Sequence, residues 1–262
     1  AATLPALSTA QVPQATYRVQ LHAGFRFDDA AAIVPYLREL GISHLYTSPF
    51  LKARAGSTHG YDIVDHNALN PEIGDEAAFE RLCGRLREHG MQQIADVVPN
   101  HMGVLEADNA WWLDVLEHGP ACAHAQTFDI DWTPRAPGRS PQVLLPVLGG
   151  PYGEVLEDGQ IQLAFDESAG EFRLGYYDHR FPLDPRDYAR VLRAVPLPAA
   201  SDAGPREIAL ELQSLADAFE ALPPRDDAEP ARREQRQRDQ ALLKRRLAQL
   251  VAQHAWVARW VA

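Results

Sequence analysis

Asp96-Val97-Val98-Pro99-Asn100-His101 ends an apolar run, Gln92 to Val98, that has the length and composition of a buried strand. It leaves a carboxylate near the end of that strand, with an amide and an imidazole on the loop just beyond. Working upstream, Asp75 to Glu88 carries Ala78, Phe79, Leu82 and Leu86 at helical spacing and stops at Gly90. Before it, Ile42 to Thr47 forms a second apolar strand punctuated by Ser48-Pro49. A helix opened by Phe27-Asp28-Asp29 and ended by Gly41 precedes that strand, and the alternating Thr16 to His22 forms the first. Strands alternating with helices of this length imply parallel pairing through right-handed crossovers, with functional loops at the strand C-terminal ends. The expected fold class is therefore α/β, a partial (β/α)8 barrel made of the first three strand-helix units.

Downstream the regularity breaks. Trp111 to Pro151 is rich in Pro, Gly and aromatic residues, and Gln160 to Phe165 and Glu171 to Tyr176 alternate around the turn residues Asp166 to Gly170, which predicts an antiparallel hairpin. The expected organisation is an N-terminal extension over 1–14, the first part of the barrel over 15–110, an inserted mixed subdomain over 111–200, and a helical segment over 201–262. That segment reads as two helices split by Pro223 to Pro230. A barrel needs eight strand-helix units, so the chain is expected to be truncated before strand four. An open three-strand sheet would expose an edge and an apolar face, which predicts poor solubility or self-association.

The 262 residues are 46% hydrophobic, enough for a sizeable core, and 25 Lys and Arg face 36 Asp and Glu for a net charge of -11. That sign argues against nucleic acid as a partner. No basic segment followed by an apolar block opens the chain, and no stretch approaches the roughly 18 to 20 apolar residues of a membrane span. The expectation is a cytoplasmic protein without membrane partners. Cys83 and Cys122 lack a second Cys or His at ligand spacing, so neither a disulfide framework nor a metal site is expected.

Asp96 and His101 have two readings: they hydrogen-bond a polar substrate on the active face of a barrel, or Asp96 satisfies backbone donors at a strand end. A second constellation, Gly56-Ser57-Thr58-His59-Gly60-Tyr61-Asp62-Ile63-Val64-Asp65-His66, follows the second strand and should reach the same face. Tyr61 offers an apolar ring for the face of a sugar, with Asp62 beside it for the hydroxyls; the other reading is a turn whose Tyr packs on the barrel rim. His44, His59, His66 and His101 near strand ends admit a metal-dependent hydrolase, although no HxH or HExxH spacing supports it. The amphipathic Ala231 to Ala262 admits a helical interaction module.

Taken together, the DVVxNH and HGYD segments resemble the α-amylase superfamily, in which they end barrel strand three and follow strand two. The detail is similar to the maltooligosyltrehalose synthases of that superfamily: Thr16-Tyr17-Arg18-Val19-Gln20-Leu21, Ser48-Pro49-Phe50, Phe128-Asp129-Ile130-Asp131-Trp132, Val143-Leu144-Leu145-Pro146-Val147-Leu148-Gly149, Pro151-Tyr152-Gly153-Glu154-Val155-Leu156 and Tyr177-Asp178-His179-Arg180-Phe181-Pro182. The resemblance runs over about residues 14–190, and it implies conversion of the reducing-end α-1,4 linkage of maltooligosaccharides into an α,α-1,1 linkage by intramolecular transglucosylation, for trehalose biosynthesis. It also implies that Asp96 and His101 line the subsite of the transferred glucose and that Tyr61 stacks on it. Asn100 matches a position that serves calcium in some amylases, but these synthases imply no metal and no cofactor. Their nucleophilic Asp follows strand four in an RxDH-like pattern and their acid/base Glu follows strand five. Arg186-Asp187-Tyr188 and Arg225-Asp226-Asp227 do not end apolar strands, and Asp129 with Asp131 reads as a rim or turn pair, so no catalytic carboxylate is named. The expected partners are a maltooligosaccharide and the remainder of the barrel, if another chain carries it. The alternatives are another α-glucan-active amylase or glucosidase, and a non-catalytic carbohydrate-binding fragment using Tyr61, His101 and Trp111 or Trp112.

Overall fold

A computed structural model describes residues 12–104, 109–133, 142–195 and 203–261, so most of the expected extension over 1–14 lies outside the described residues. The chain divides into two compact units, 1–104 and 105–262.

In the first unit the order is β1 (Thr16–Val19), α1 (Phe27–Glu39), β2 (His44–Thr47), β3 (Leu51–Ala53), β4 (Ile63–Leu69), α2 (Glu76–Glu88) and β5 (Gln92–Ala95). β1, β2 and β5 form a parallel sheet in the order β1-β2-β5, with Arg18 opposite Tyr46 and Tyr46 opposite Ile94. Each crossover runs through a helix whose start is fixed by an acid. The Asp29 carboxylate accepts from the Arg26 backbone N–H at 2.8 Å, and Asp75 caps α2 by accepting from Ala78 N–H at 2.8 Å. Ala30, Val34 and Leu37 of α1 and Ala78, Leu82 and Leu86 of α2 bury their stripes against Val19 and Leu45 of the sheet. The face of the sheet opposite Val19 and Leu45 therefore carries Arg18, Tyr46 and Ile94, and Asp96 follows two residues after Ile94.

The segment from Leu51 to Leu69, which contains the Gly56–His66 constellation, is a hairpin. β3 pairs with β4 in antiparallel fashion through an irregular register, Leu51 opposite Leu69 and Ala53 opposite Ile63. Two buried apolar residues, Ile63 and Val64, tie β4 down, and the 54–62 loop becomes the tip of that hairpin.

The second unit contains α3 (Ala110–His118), α4 (Tyr152–Glu157), β6 (Gln162–Asp166), β7 (Glu171–Tyr176), β8 (His179–Pro182), α5 (Tyr188–Arg193), α6 (Ala203–Glu220), α7 (Pro230–Gln253) and α8 (Ala255–Val261). β6 and β7 pair antiparallel through a turn where the Asp166 carboxylate accepts from the backbone N–H groups of Ser168 and Ala169. β8, whose four residues end on a proline, adds a third strand. The turn lies so close to α7 that a Cβ on Gly170, at φ +68°, would meet the Lys244 carbonyl oxygen at 2.0 Å.

The sequence divides 111–200 from 201–262, but the apolar core does not. Phe172 of β7, Tyr188 and Leu192 of α5, Leu212 and Phe219 of α6, and Leu247 and Leu250 of α7 form one cluster. The helices past residue 201 cover the sheet of the preceding segment because that is where an apolar stripe of their length can be buried. Leu212, Phe219, Leu247 and Leu250 are thereby buried within the unit, while Leu210 and Leu242 stay exposed. Among the described residues no helix is long and apolar enough to cross a membrane.

Candidate functional site

The 54–62 loop is closed by backbone and side-chain bonds that aim Tyr61. Arg54 N–H donates to the Asp62 carbonyl at 3.0 Å, and the buried Ser57 hydroxyl donates to the Asp62 carboxylate while accepting from Gly60 N–H at 3.1 Å. The Gln20 amide donates to the Thr58 carbonyl at 2.8 Å, anchoring the loop to the end of β1. Gly60 is required at the turn: its φ is +77°, and a Cβ there would lie 2.3 Å from the Pro49 carbonyl oxygen. Gly60→Ala is expected to lower the stability of 1–104 by about 2 kcal/mol or more and to displace Tyr61. Denaturant titration, with binding of a maltooligosaccharide measured in parallel, checks both effects.

Tyr61 then reaches the polar face of the parallel sheet. Its hydroxyl donates a short hydrogen bond to Oδ2 of Asp96 and accepts from the Arg18 guanidinium at 3.1 Å. The Tyr46 hydroxyl donates to the same Asp96 oxygen at 3.0 Å, and the Arg18 guanidinium carbon stands 5.5 Å from the Tyr46 ring centroid. The bond to Asp96 is the main cause that holds the Tyr61 phenol above its ordinary pKa, so it stays a neutral donor. The Arg18 guanidinium is likewise raised, chiefly by its bond to Tyr61. Among the described residues Oδ1 of Asp96 makes no hydrogen bond. It is left as an acceptor beside the exposed rim.

The loop after β5 is fastened to the hairpin tip. His101 Nε2 donates to the Tyr61 carbonyl at 3.0 Å, and its Nδ1 lies 3.2 Å from the Asn100 side-chain oxygen. A carbonyl only accepts, so the Nε2 hydrogen is fixed, and an imidazole neutral at Nδ1 would want the amide nitrogen there instead. Both side chains are exposed.

The structure thus brings Tyr61, Asp96 and His101 together, with Asn100 beside the last. The Asp62 carboxylate, expected beside Tyr61 for sugar hydroxyls, is engaged inside the loop by Ser57 and lies 3.6 Å from Arg54 Nε. Arg18 and Tyr46 were missed as site residues. Their signal was available in period two: strands paired in register place them on the same face as Ile94, and hence Asp96. The other histidines are held locally, His44 at 2.9 Å from the Ser43 hydroxyl and His66 donating to the Val98 carbonyl at 2.9 Å. Among the described residues no three His, Cys, Asp or Glu side chains converge as a metal site, and Asn100 has no such cluster around it.

The alternative sugar contacts do not form a pair. Trp112 is buried against Phe128, while Trp111 stacks on His124 with centroids 4.7 Å apart. Asp131 accepts from Thr133 N–H at 2.9 Å as a turn residue, Asp187 lies in a short turn before α5, and Asp227 holds Arg232 at 2.5 Å.

Compared with known families, residues 31–180 match the one described as alpha amylase, catalytic domain. The chain belongs to that family. The resemblance read from the DVVxNH, HGYD and later motifs is borne out by individual relatives. A putative maltooligosyl trehalose synthase of Mycobacterium tuberculosis is 42% identical over 170 residues, covering 60% of this chain and 22% of that protein. The solved maltooligosyltrehalose synthase from Arthrobacter ramosus is similar at 40% identity and a TM-score of 0.57, over 66% of this chain and 21% of that one. A second solved maltooligosyl trehalose synthase gives 36% identity and a TM-score of 0.59. This alpha-amylase family chain spans 22% of the length of the curated synthases it matches.

Proposed function

We propose that the chain forms part of a maltooligosyltrehalose synthase and that its Tyr61–Asp96–His101 cluster holds the glucosyl unit transferred when a reducing-end α-1,4 linkage becomes α,α-1,1. In this reading β1, β2 and β5 are the first three strands of a (β/α)8 barrel, 105–262 carries the insertion after strand three, and the rest of the barrel supplies the carboxylates. The single observation that carries the proposal is the Asp96 carboxylate at the C-terminal end of a parallel strand. It is bonded by two tyrosine hydroxyls on one oxygen and open on the other.

That arrangement suits neutral sugar. Asp96 Oδ1 accepts from a hydroxyl, the fixed phenol of Tyr61 offers its ring, and Arg18 keeps both oriented without an added net charge. Retaining transfer within the α-amylase family uses one carboxylate to attack the anomeric carbon and another to protonate the leaving oxygen. Intramolecular transfer further requires that the released glucose be held and water excluded. Holding it is the part assigned to these residues.

The test uses the natural gene product incubated with maltopentaose. Loss of reducing ends without release of free glucose is expected; accumulation of glucose and shorter reducing oligosaccharides would instead make the protein a hydrolytic amylase or glucosidase. In the 262-residue chain, Tyr61→Phe removes a hydrogen bond to a charged group and is expected to weaken maltopentaose binding about tenfold. An affinity unchanged by Tyr61→Phe and by Asp96→Asn would remove the cluster from the binding role.

A further inference from the structure

A cavity of about 260 Å³ opens within 105–262, lined by Val115, Leu116, Trp132, Gln142, Phe181 and Arg225, among others. Small-molecule sites commonly occupy about 300–1,000 Å³, so this one has room for a single ring.

Its walls are held in place. The Trp132 indole N–H donates to the Ala125 carbonyl at 3.0 Å, which pins the ring by one edge. Phe181 ends a row of near-parallel rings on β7 and β8, lying 14° from the plane of His179, which in turn lies 7° from that of Tyr176. Arg225 enters from the loop between α6 and α7. Its carbonyl accepts from Ala121 N–H at 3.0 Å, and its stem passes Gly119 so closely that a Cβ there would lie 3.3 Å from Cδ.

Several arginines of this unit are engaged by carboxylates, Arg173 by Glu171, Arg193 by Asp217 and Glu220, Arg232 by Asp227, and Arg236 by Asp184, while Arg186 and Arg233 donate to backbone carbonyls. The Arg225 side chain has no hydrogen bond or ion pair among the described residues. The cavity therefore combines aromatic and aliphatic walls, a five-donor fork, and one neutral amide that can both donate and accept.

We propose that this cavity is a second glucosyl subsite, taking one pyranose of an α-1,4-glucan. The pyranose C–H face packs on the aromatic wall, vicinal hydroxyl oxygens accept from Arg225, and Gln142 bonds a third hydroxyl. The assignment rests on the glucan reading made for the Tyr61–Asp96 cluster. It goes beyond that reading because it places sugar binding on 105–262 through residues that take no part in the cluster.

The experiment is a titration of the ¹⁵N-labelled 262-residue chain with methyl α-maltotrioside, reading the indole signals, with Trp132 assigned by Trp132→Phe, and the backbone amides around Tyr61. A saturable shift of the Trp132 indole is expected, and Arg225→Ala should weaken it about tenfold or more while the thermal midpoint stays put. Gln142→Ala, on an exposed side chain, gives a second variant should Arg225→Ala perturb folding. A response at Tyr61 with none at Trp132 overturns the second subsite and leaves the glucan reading standing. No response at either place overturns both. A Trp132 shift produced by benzoate but not by the glycoside makes the cavity an anion site and also overturns the proposal.

Discussion

Replacing Lys244 with alanine is expected to destabilise 105–262 by about 3–5 kcal/mol, the usual loss when one partner of a buried ion pair is deleted. Lys244 is 6% exposed, and its ammonium donates to Glu117 through a short bond and to Glu171 at 3.1 Å. Burial already raises the Glu117 pKa, with Lys244 opposing it. Burial works the same way on Glu171, but its bonds to Arg173 and Lys244 outweigh it and leave that carboxyl below its ordinary range. Without the cation two carboxylates face each other in a closed space. Lys244→Met keeps the volume and should be nearly as harmful, whereas Lys244→Met combined with Glu117→Gln and Glu171→Gln should recover much of the loss. Urea unfolding followed by tryptophan fluorescence measures this, and a Lys244→Ala midpoint equal to that of the parent would show that the network contributes little.

Acid should weaken the same unit through His118. His118 is 5% exposed, and the pKa of its imidazole falls from 6.5 to about 4 because burial disfavours the charged form. Arg236 and Lys244 act in the same direction, while Asp114 and Asp184 oppose them. Its Nδ1 is buried with no hydrogen-bond partner among the described residues. The folded state holds the ring neutral while the unfolded chain takes up a proton near pH 6.5. The stabilisation is therefore complete above pH 6.5 and declines as pH falls toward 4, by about 3 kcal/mol in all at roughly 1.36 kcal/mol per unit. Below that the folded protein protonates too and the loss levels off. Glu117 runs in the opposite sense, since a raised carboxyl pKa stabilises as pH falls, so the clean observable is a difference. The stability of His118→Gln, measured against pH, should lack the parent's decline between 6.5 and 4; parallel curves would assign that decline to other groups.

The strand and helix alternation of 15–98 was legible because α1 and α2 each carry one apolar stripe and begin at a side-chain carboxylate, features written within a dozen consecutive residues. The β3–β4 hairpin was not, because its register slips twice and Asp65, His66 and Asn67 interrupt the apolar pattern. Tyr61, Asp96 and His101 could be found because each follows a strand end. That Asp62 would bond Ser57 within its own loop depends on the fold of the loop tip, which short glycine-rich sequence does not encode in any period. The ion cluster of 105–262 was invisible for a different reason. Its members are ordinary charged residues scattered over α3, β7 and α7, and burial alone distinguishes them. The single core joining 111–200 to 201–262 was hidden likewise, since an apolar stripe announces that it will be covered and not by what.

Lys244 lies 127 positions after Glu117 and 73 after Glu171. On the ribosome both carboxylates, and the hairpin that presses Gly170 against α7, emerge long before the helix carrying their counter-charge. Until then Glu171 has only Arg173 as a counter-charge and Glu117 lacks the ammonium it bonds in the folded unit, and Phe172 waits for Leu247 and Leu250 to cover it. The second unit is thus a structure that closes only when its last long helix arrives, and the interval before that arrival is when its unpaired hairpin is open to capture by chaperones or by other nascent chains.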